Sequence, residues 1–262
     1  MALELKLTGK KVLITGASEG IGRAIAQRMG AEGCDLYLAA RSREKLEAVR
    51  DAVLAERKVS VQLFPLDLSL SENHHLLAER CADADILVNN AGATPNGRIA
   101  GIDEAALRKA FDLKVFGYFN LCRAFYGYMS KRRSGVIVNI IGNGGERPVA
   151  NYVAGGMGNA AVMALTRALG GDSHRDGVRV VGINPGPVAT ERVVKMFKRE
   201  ARERWGDESR YGEFFGGLAF GRAATVEEIA DMTAFLASDL SAYTTGTIVT
   251  IDGGMIYGGT LF

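Results

Sequence analysis

Short apolar runs along this chain alternate with longer stretches whose apolar residues recur every three or four positions. Val12-Leu13-Ile14 is the first run and reads as a short buried strand. Ile21, Ala24, Ile25, Ala26 and Met29 follow at helical spacing. Further strands are predicted over 34–40, 59–66, 86–88, 136–141, 178–183 and 248–251. Helices are predicted over 42–56, with Ser42 as cap, over 103–129 and over 150–169. Thr225-Val226-Glu227-Glu228-Ile229 reads as another capped helix start with early acids. Short apolar strands separated by helices imply a parallel sheet covered on both faces. Right-handed crossovers then give a doubly wound α/β sheet that binds ligands beyond the carboxyl ends of its strands.

The loops agree with that rule, because the polar and glycine-rich pieces follow strands. Thr15-Gly16-Ala17-Ser18-Glu19-Gly20-Ile21-Gly22 joins the first strand to the first helix. Gly16 and Gly20 permit a tight turn and a close ligand, and Gly22 lets the helix pack on the strand. The free N–H groups of the helix's first turn then face an anion such as a diphosphate. Asp67 follows the third strand, Asn89-Asn90-Ala91-Gly92 the fourth and Asn184-Pro185-Gly186-Pro187-Val188-Ala189-Thr190 the sixth. Together they predict an elongated crevice along one rim.

Composition narrows the function classes. A net charge of +2 over 262 residues argues against a dedicated nucleic-acid binder. Cys34, Cys81 and Cys122 are scattered, form no metal pattern and read as buried small residues in a reducing compartment. No apolar run reaches membrane-spanning length, and residues 1–11 lead almost directly into the first strand. The expectation is a cytoplasmic protein with no membrane or metal requirement.

The four motifs Thr15 to Gly22, Asn89-Asn90-Ala91-Gly92, Pro185-Gly186-Pro187-Val188-Ala189-Thr190 and Ile251-Asp252-Gly253-Gly254 together resemble the short-chain dehydrogenase/reductase family, in order and spacing. The resemblance implies one Rossmann-type NAD(P)-binding domain over 1–262, with 191–220 as a substrate lid. It implies a pyridine nucleotide on Gly16, Ser18, Gly20, Ile21 and Gly22. Asp67 and Leu68 would meet the adenine, and Asn90, Ala91 and Gly92 the adenosine side. Pro185 and Gly186 belong to the nicotinamide-side loop, where Val188 and Thr190 would hold the carboxamide. It also implies a homotetramer or homodimer associating through the long helices.

An NAD site of this fold needs a carboxylate after the second strand to accept from the ribose 2′-hydroxyl. The chain offers Arg41 there instead, with Arg43 and Lys45 close by, which suits a 2′-phosphate. Glu19 opposes these cations. The balance favours NADP, with NAD as the alternative.

The family's proton-handling groups do not recur. In the register fixed by Asn159-Ala160-Ala161-Val162-Met163, the family's Ser, Tyr and Lys positions hold Gly142, Gly155 and Asn159, and its helix Asn position holds Lys114. Neither glycine can donate a proton from a side chain. Lys and Asn have in effect exchanged helices, so Lys114 could reach the nicotinamide ribose from the opposite wall. Gly155, Gly156 and Gly158 suggest a need for space, or else drift or tight packing. Tyr152 has two readings: a phenol that swings toward that space to act in catalysis, or a packed rim tyrosine. Asn143, Glu146 and Arg147 are candidate substrate contacts. His74 and His75 read as solvated, and His174 as complementing a helix dipole.

The stretch Glu191 to Arg204 carries Arg192, Lys195, Lys198, Arg199, Arg202 and Arg204 opposite an apolar side of Val193, Val194, Met196 and Phe197. It reads either as an attractor for an anionic small-molecule substrate such as a coenzyme A thioester, or as an amphipathic lid with a solvated face. Two functions follow: an oxidoreductase with rearranged proton-transfer groups, or a catalytically silent NADP-binding sensor or partner subunit.

Overall fold

The computed structural model describes residues 4–258, so the first three residues of the N-terminal run lie outside it. Seven strands form one sheet: β1 (Lys11–Thr15), β2 (Asp35–Ala40), β3 (Val61–Pro65), β4 (Ile86–Asn89), β5 (Gly135–Ile140), β6 (Val178–Pro185) and β7 (Ile248–Ile251). Every pairing is parallel, in the order β3-β2-β1-β4-β5-β6-β7. The order reverses at β1, which lies between β2 and β4, and a crevice opens there beyond the strand ends.

The helices are α1 (Gly20–Ala31), α2 (Arg43–Glu56), α3 (Ser71–Arg80), α4 (Glu104–Phe111), α5 (Gly117–Arg132), α6 (Val153–Asp172), α7 (Glu191–Trp205), the short α8 (Glu213–Gly216) and α9 (Val226–Ala237). Along β1, Val12 and Ile14 point to one core with α1, α2 and α9, while Leu13 points to the other with α3 and α5. That is why the strands read as continuous apolar runs rather than as alternating ones. A third cluster of Tyr118, Ile141, Val162 and Met163 joins α5 to α6. Ser42 caps α2, and Thr225 with Glu228 forms a capping box on α9, as the sequence predicted. Cys34, Cys81 and Cys122 are free and buried. Among the described residues no helix is long and apolar enough to cross a membrane, and no group of three or more His, Cys, Asp or Glu side chains could hold a metal ion.

Two expectations need correction. The helix predicted over 103–129 is interrupted by a π-helical turn, Asp112–Phe116, between α4 and α5. The extra residue re-registers the chain and turns Lys114 inward, against the amphipathic pattern that the sequence displays. His74 is buried rather than solvated, at 3% exposure. Its Nε2 bonds the Leu68 carbonyl at 2.7 Å, and Nδ1 faces the Asn120 amide nitrogen at 3.4 Å. An Nε2–H donor and an Nδ1 acceptor satisfy both contacts, so the neutral ring fits and a cation does not.

Burial holds the His74 pKa below its ordinary value. The unfolded chain therefore binds a proton more readily than the folded one, and stability present above about pH 6.5 is lost as pH falls through the folded-state value. We expect the urea midpoint of the wild type to drop between about pH 7 and pH 5 more steeply than that of His74→Gln. Parallel slopes for the two proteins would show that His74 does not carry this term.

Candidate active site

The glycine turn after β1 is held by contacts that leave no room for side chains. A Cβ on Gly16 would lie 2.9 Å from the Ala91 Cα, and one on Gly22 would lie 2.1 Å from the Gly16 carbonyl oxygen. Thr15 latches this turn to the loop after β4, because its Oγ1 accepts from the N–H groups of Asn90 at 2.9 Å and Ala91 at 3.1 Å. The Asn90 amide donates back to the carbonyls of Thr15 and Gly16 at 3.1 and 3.2 Å. Thr15 was missed as a site residue in the sequence, although a hydroxyl directly before such a turn is a usable signal.

Helix α1 begins at Glu19 without a side-chain cap, and α3, α5, α6 and α8 likewise lack one, whereas Ser42, Asp103, Thr190 and Thr225 cap α2, α4, α7 and α9. Its first N–H groups are thus left to a ligand, and the Ser18 hydroxyl has no partner among the described residues. A close-approach turn with orphan donors fits a dinucleotide diphosphate. On the far side, the Thr190 Cγ2 would lie 3.2 Å from a Cβ on Gly20, so the loop after β6 meets the turn. The Thr190 Oγ1 accepts from Val193 N–H at 3.3 Å as the cap of α7, a use that competes with the predicted carboxamide contact. Pro185 ends β6, Gly186 N–H donates to Ile251, and Val188 is buried beside Ala224.

At the outer end, Arg41 is exposed and makes no ion pair among the described residues. Glu19, which opposed it in sequence, is taken up by an ion pair with Lys45, whose ammonium holds the Glu19 carboxyl below its usual range. Asp67 accepts from the Ser69 N–H and hydroxyl at 3.0 and 2.9 Å, which holds its pKa down. The Leu68 side chain is buried in the core beside α3, so a ligand there would meet its backbone.

The inner end is where the structure adds most. Gly142 has φ +132°, and a Cβ there would lie 2.8 Å from the Asn159 Nδ2. Gly155 is overlaid by the Tyr152 ring, whose Cζ lies 1.9 Å from where a Cβ on Gly155 would stand. The Tyr152 oxygen accepts from the Thr94 Oγ1 at 2.9 Å and keeps its own proton to donate. Thr94 gave no signal in the sequence. Gly156 approaches the Gly144 carbonyl, its Cβ position 3.1 Å from that oxygen, while Gly158 meets only ordinary contacts and nothing here explains it.

Lys114 does not stand free in the crevice. Its Nζ donates to the carbonyls of Ile140 at 2.8 Å and Ile141 at 3.1 Å, and to the Tyr118 hydroxyl at 3.1 Å. Two donations go to the end of β5 and one to the Tyr118 hydroxyl of α5, so the predicted reach to a ribose is corrected to a bracing role beneath Gly92. Burial lowers its pKa to about 7. Asn143 donates to Asp252 at 3.3 Å, and Arg147 donates to the Met255 carbonyl. Glu146 accepts from Arg167, Asn184 and Thr250. These contacts tie the loop after β5 to its neighbours.

Helix α7 is mostly self-occupied. Phe197 stacks on Phe214 at 5.1 Å and Trp205 on Phe214 at 4.9 Å. Arg199 and Arg202 pair with Glu203 and Glu208, and Arg192 donates to the Thr94 carbonyl at 3.4 Å.

A family model described as enoyl-(acyl carrier protein) reductase matches residues 16–256. The 3-oxoacyl-[acyl-carrier-protein] reductase FabG of Thermotoga maritima is 30% identical over 262 residues, covering 96% of this chain and 100% of the relative. The meso-2,3-butanediol dehydrogenase of Serratia marcescens is 31% identical, covering 95% and 96%. Among solved structures, L-sorbose reductase from Gluconobacter frateurii, complexed with NADPH and L-sorbose, superposes with a TM-score of 0.92 at 28% identity, covering 98% of this chain and 100% of that one.

The buried lysine allows a direct test. Its folded-state pKa of about 7 lies below the ordinary 10.5, so the folded chain resists protonation and stability rises with pH between the two values. Lys114→Met removes that pH-dependent penalty and also forfeits the donations to Ile140, Ile141 and Tyr118. The stability of the variant relative to the wild type is therefore expected to fall by up to roughly 5 kcal/mol between about pH 7 and pH 10, whatever the offset from the lost hydrogen bonds. Urea unfolding across that range checks it, and a difference that does not change with pH would refute the assignment.

Proposed function

The chain belongs to the short-chain dehydrogenase/reductase family, and on that premise we propose that it is an NADP(H)-dependent oxidoreductase whose proton donor is Tyr152. The single observation that carries the reading is the phenol ring over Gly155, one helical turn from its own backbone position. It returns a proton-bearing oxygen to the side of the crevice from which the family's Tyr is missing. The oxidoreductase names of the relatives support carbonyl or alcohol chemistry on a small-molecule substrate.

NADP is supported by the unpaired Arg41 and by the neutralisation of Glu19 through Lys45, and by the NADPH of the sorbose reductase complex. When bound, the reduced nicotinamide supplies a hydride. The protein's own residues do the rest. The turn at Gly16 to Gly22 and the start of α1 take the diphosphate, Arg41 takes the 2′-phosphate, and the Asn90 to Gly92 loop lines the adenosine side. Tyr152 gives its proton to the substrate oxygen while Thr94 donates to the phenol oxygen, which stabilises the charge left behind. Lys114 keeps the end of β5 in place.

Residues 191–220 serve in this reading as the lid, with α7 strapped to α1 through Arg23 and Glu191. Among the described residues Arg199 and Arg202 are the two of the six α7 cations in ion pairs, so the basic face that would attract an anionic substrate is only partly neutralised. Half-exposed Phe116 and Phe119 line an apolar groove with Ala161 and Leu165 of α6 and support a homo-oligomer. Three free, buried cysteines agree with a cytoplasmic setting.

The silent sensor or partner-subunit reading keeps one observation in its favour: the same Tyr152 ring occupies space a substrate could use. Fluorescence titration with NADPH and NADH separates cofactor preference from turnover. We expect tighter NADPH binding, weakened about 10- to 100-fold in Arg41→Ala while NADH binding is unchanged. With a panel of small ketones, Tyr152→Phe is expected to lower kcat about 10²-fold or more with cofactor affinity retained. Binding without turnover of any ketone would select the sensor, and full activity in Tyr152→Phe would remove Tyr152 as the donor.

A further inference from the structure

We propose that the Asn159 side-chain amide hydrogen-bonds the carbonyl oxygen of the substrate, from the volume where a side chain at position 142 would otherwise stand. The inference rests on the oxidoreductase reading above and deepens it. The Asn159 Nδ2 lies 2.8 Å from the Cβ position of Gly142, closer than its Oδ1 at 3.5 Å. Its N–H donors therefore face the loop that follows β5, at the carboxyl rim of the sheet.

Partnership singles this residue out. The structure buries the side chains of Asn89, Asn139, Asn159 and Asn184. The Asn89 amide donates to Asn139, Asn139 to Thr166 and Asn184 to Glu146. Asn159 is 3% exposed, yet neither its nitrogen nor its oxygen has a hydrogen-bond partner among the described residues. The orphaned buried oxygens belong to Asn89 and Asn184 instead, so the Asn159 amide is unpartnered but not sealed off, and it stays open to a ligand. The positions nearest the amide on the loop after β5, Gly142 and Gly144, carry no side chains of their own.

Direction agrees with partnership. The Cβ position of Gly144 lies 3.7 Å from the Asn159 Nδ2 and 3.0 Å from the Tyr152 Cδ1. The amide and the phenol thus border one glycine. A neutral N–H donor suits an uncharged ketone or aldehyde oxygen, and it gains strength as negative charge builds there. The amide would polarise the carbonyl, and the phenol would protonate it.

The test combines spectra with kinetics. Wild type, Asn159→Ala and the equal-sized Asn159→Asp, which has no N–H to give, are loaded with NADP in its oxidised form so that no reduction proceeds. Diacetyl and ethyl acetoacetate, each labelled with carbon-13 at a keto carbonyl, are added, and the carbonyl band is followed by difference infrared spectroscopy. The expected result is a wild-type band moved to lower wavenumber and a return to the free position in both variants. NADPH affinity should be unchanged, and kcat/KM with the same ketones should fall about 10²- to 10³-fold. An unshifted wild-type band, or a shift that survives both substitutions, overturns the proposal. So does a loss of NADPH affinity with the shift intact, which would assign Asn159 to the cofactor. A wild type that shifts the band through Asn159 but reduces no ketone sinks the oxidoreductase reading and leaves this contact standing.

Discussion

Everything in this protein follows from a sheet that is parallel throughout and buried on both faces. Such a sheet has no solvent face on which to place polar chemistry. Each strand must be returned by a crossover to the same starting edge, so all carboxyl ends share one rim. The rim receives the polar loops because the faces cannot. Gly16 meets Ala91, and Gly20 meets Thr190, because the loops that follow β1, β4 and β6 converge there. The approach is close enough that backbone, not side chain, does most of the holding, with Thr15 and Asn90 as the latch.

That constraint explains what the sequence discloses. Periodicity marks strands and helices because both faces of the sheet must be filled, and glycines mark the turn because a Cβ at Gly16 or Gly22 has nowhere to go. Arg41 was legible because it closes a strand whose end must lie at the rim. Lys114 was not legible in its role. Its inward orientation comes from the π-helical turn, and no local pattern in Asp112-Leu113-Lys114-Val115-Phe116 announces one. His74 was misread for a related reason. It sits in a polar stretch, yet the Leu68 carbonyl and Asn120, 6 and 46 residues away, satisfy both ring nitrogens. The loop contacts of Asn143, Glu146 and Arg147 depend on partners far along the chain, and spacing cannot reveal those.

The glycines at 142 and 155 raise a packing question that sequence alone leaves open. Interiors are close-packed, and a lost side chain leaves a void that costs stability unless something fills it. Here neighbours fill both volumes: Asn159 comes up from α6 against Gly142, and Tyr152 lies over Gly155 from three residues away. The fillers are not the aliphatic residues that packing alone would select. One is an amide without a partner, the other a phenol whose oxygen accepts from Thr94. Two polar fillers in adjacent volumes are poorly explained by repair of a void.

The electrostatics of this arrangement differ from those of a phenol beside a lysine. Among the described residues no cation touches the Tyr152 hydroxyl, and Lys114 spends its protons on Ile140, Ile141 and Tyr118. A neutral Thr94 donor steadies a phenolate by less than an adjacent ammonium would. On the proposed reading, Tyr152 is therefore better suited to giving up a proton to a substrate oxygen already accumulating charge than to removing one from an alcohol. An amide donor acts in the same direction, since it strengthens as charge builds on that oxygen and has no proton to exchange. On the proposed reading the two groups would lower the barrier to carbonyl reduction, and equally to its reverse, with no ionised side chain among the described residues against the phenol.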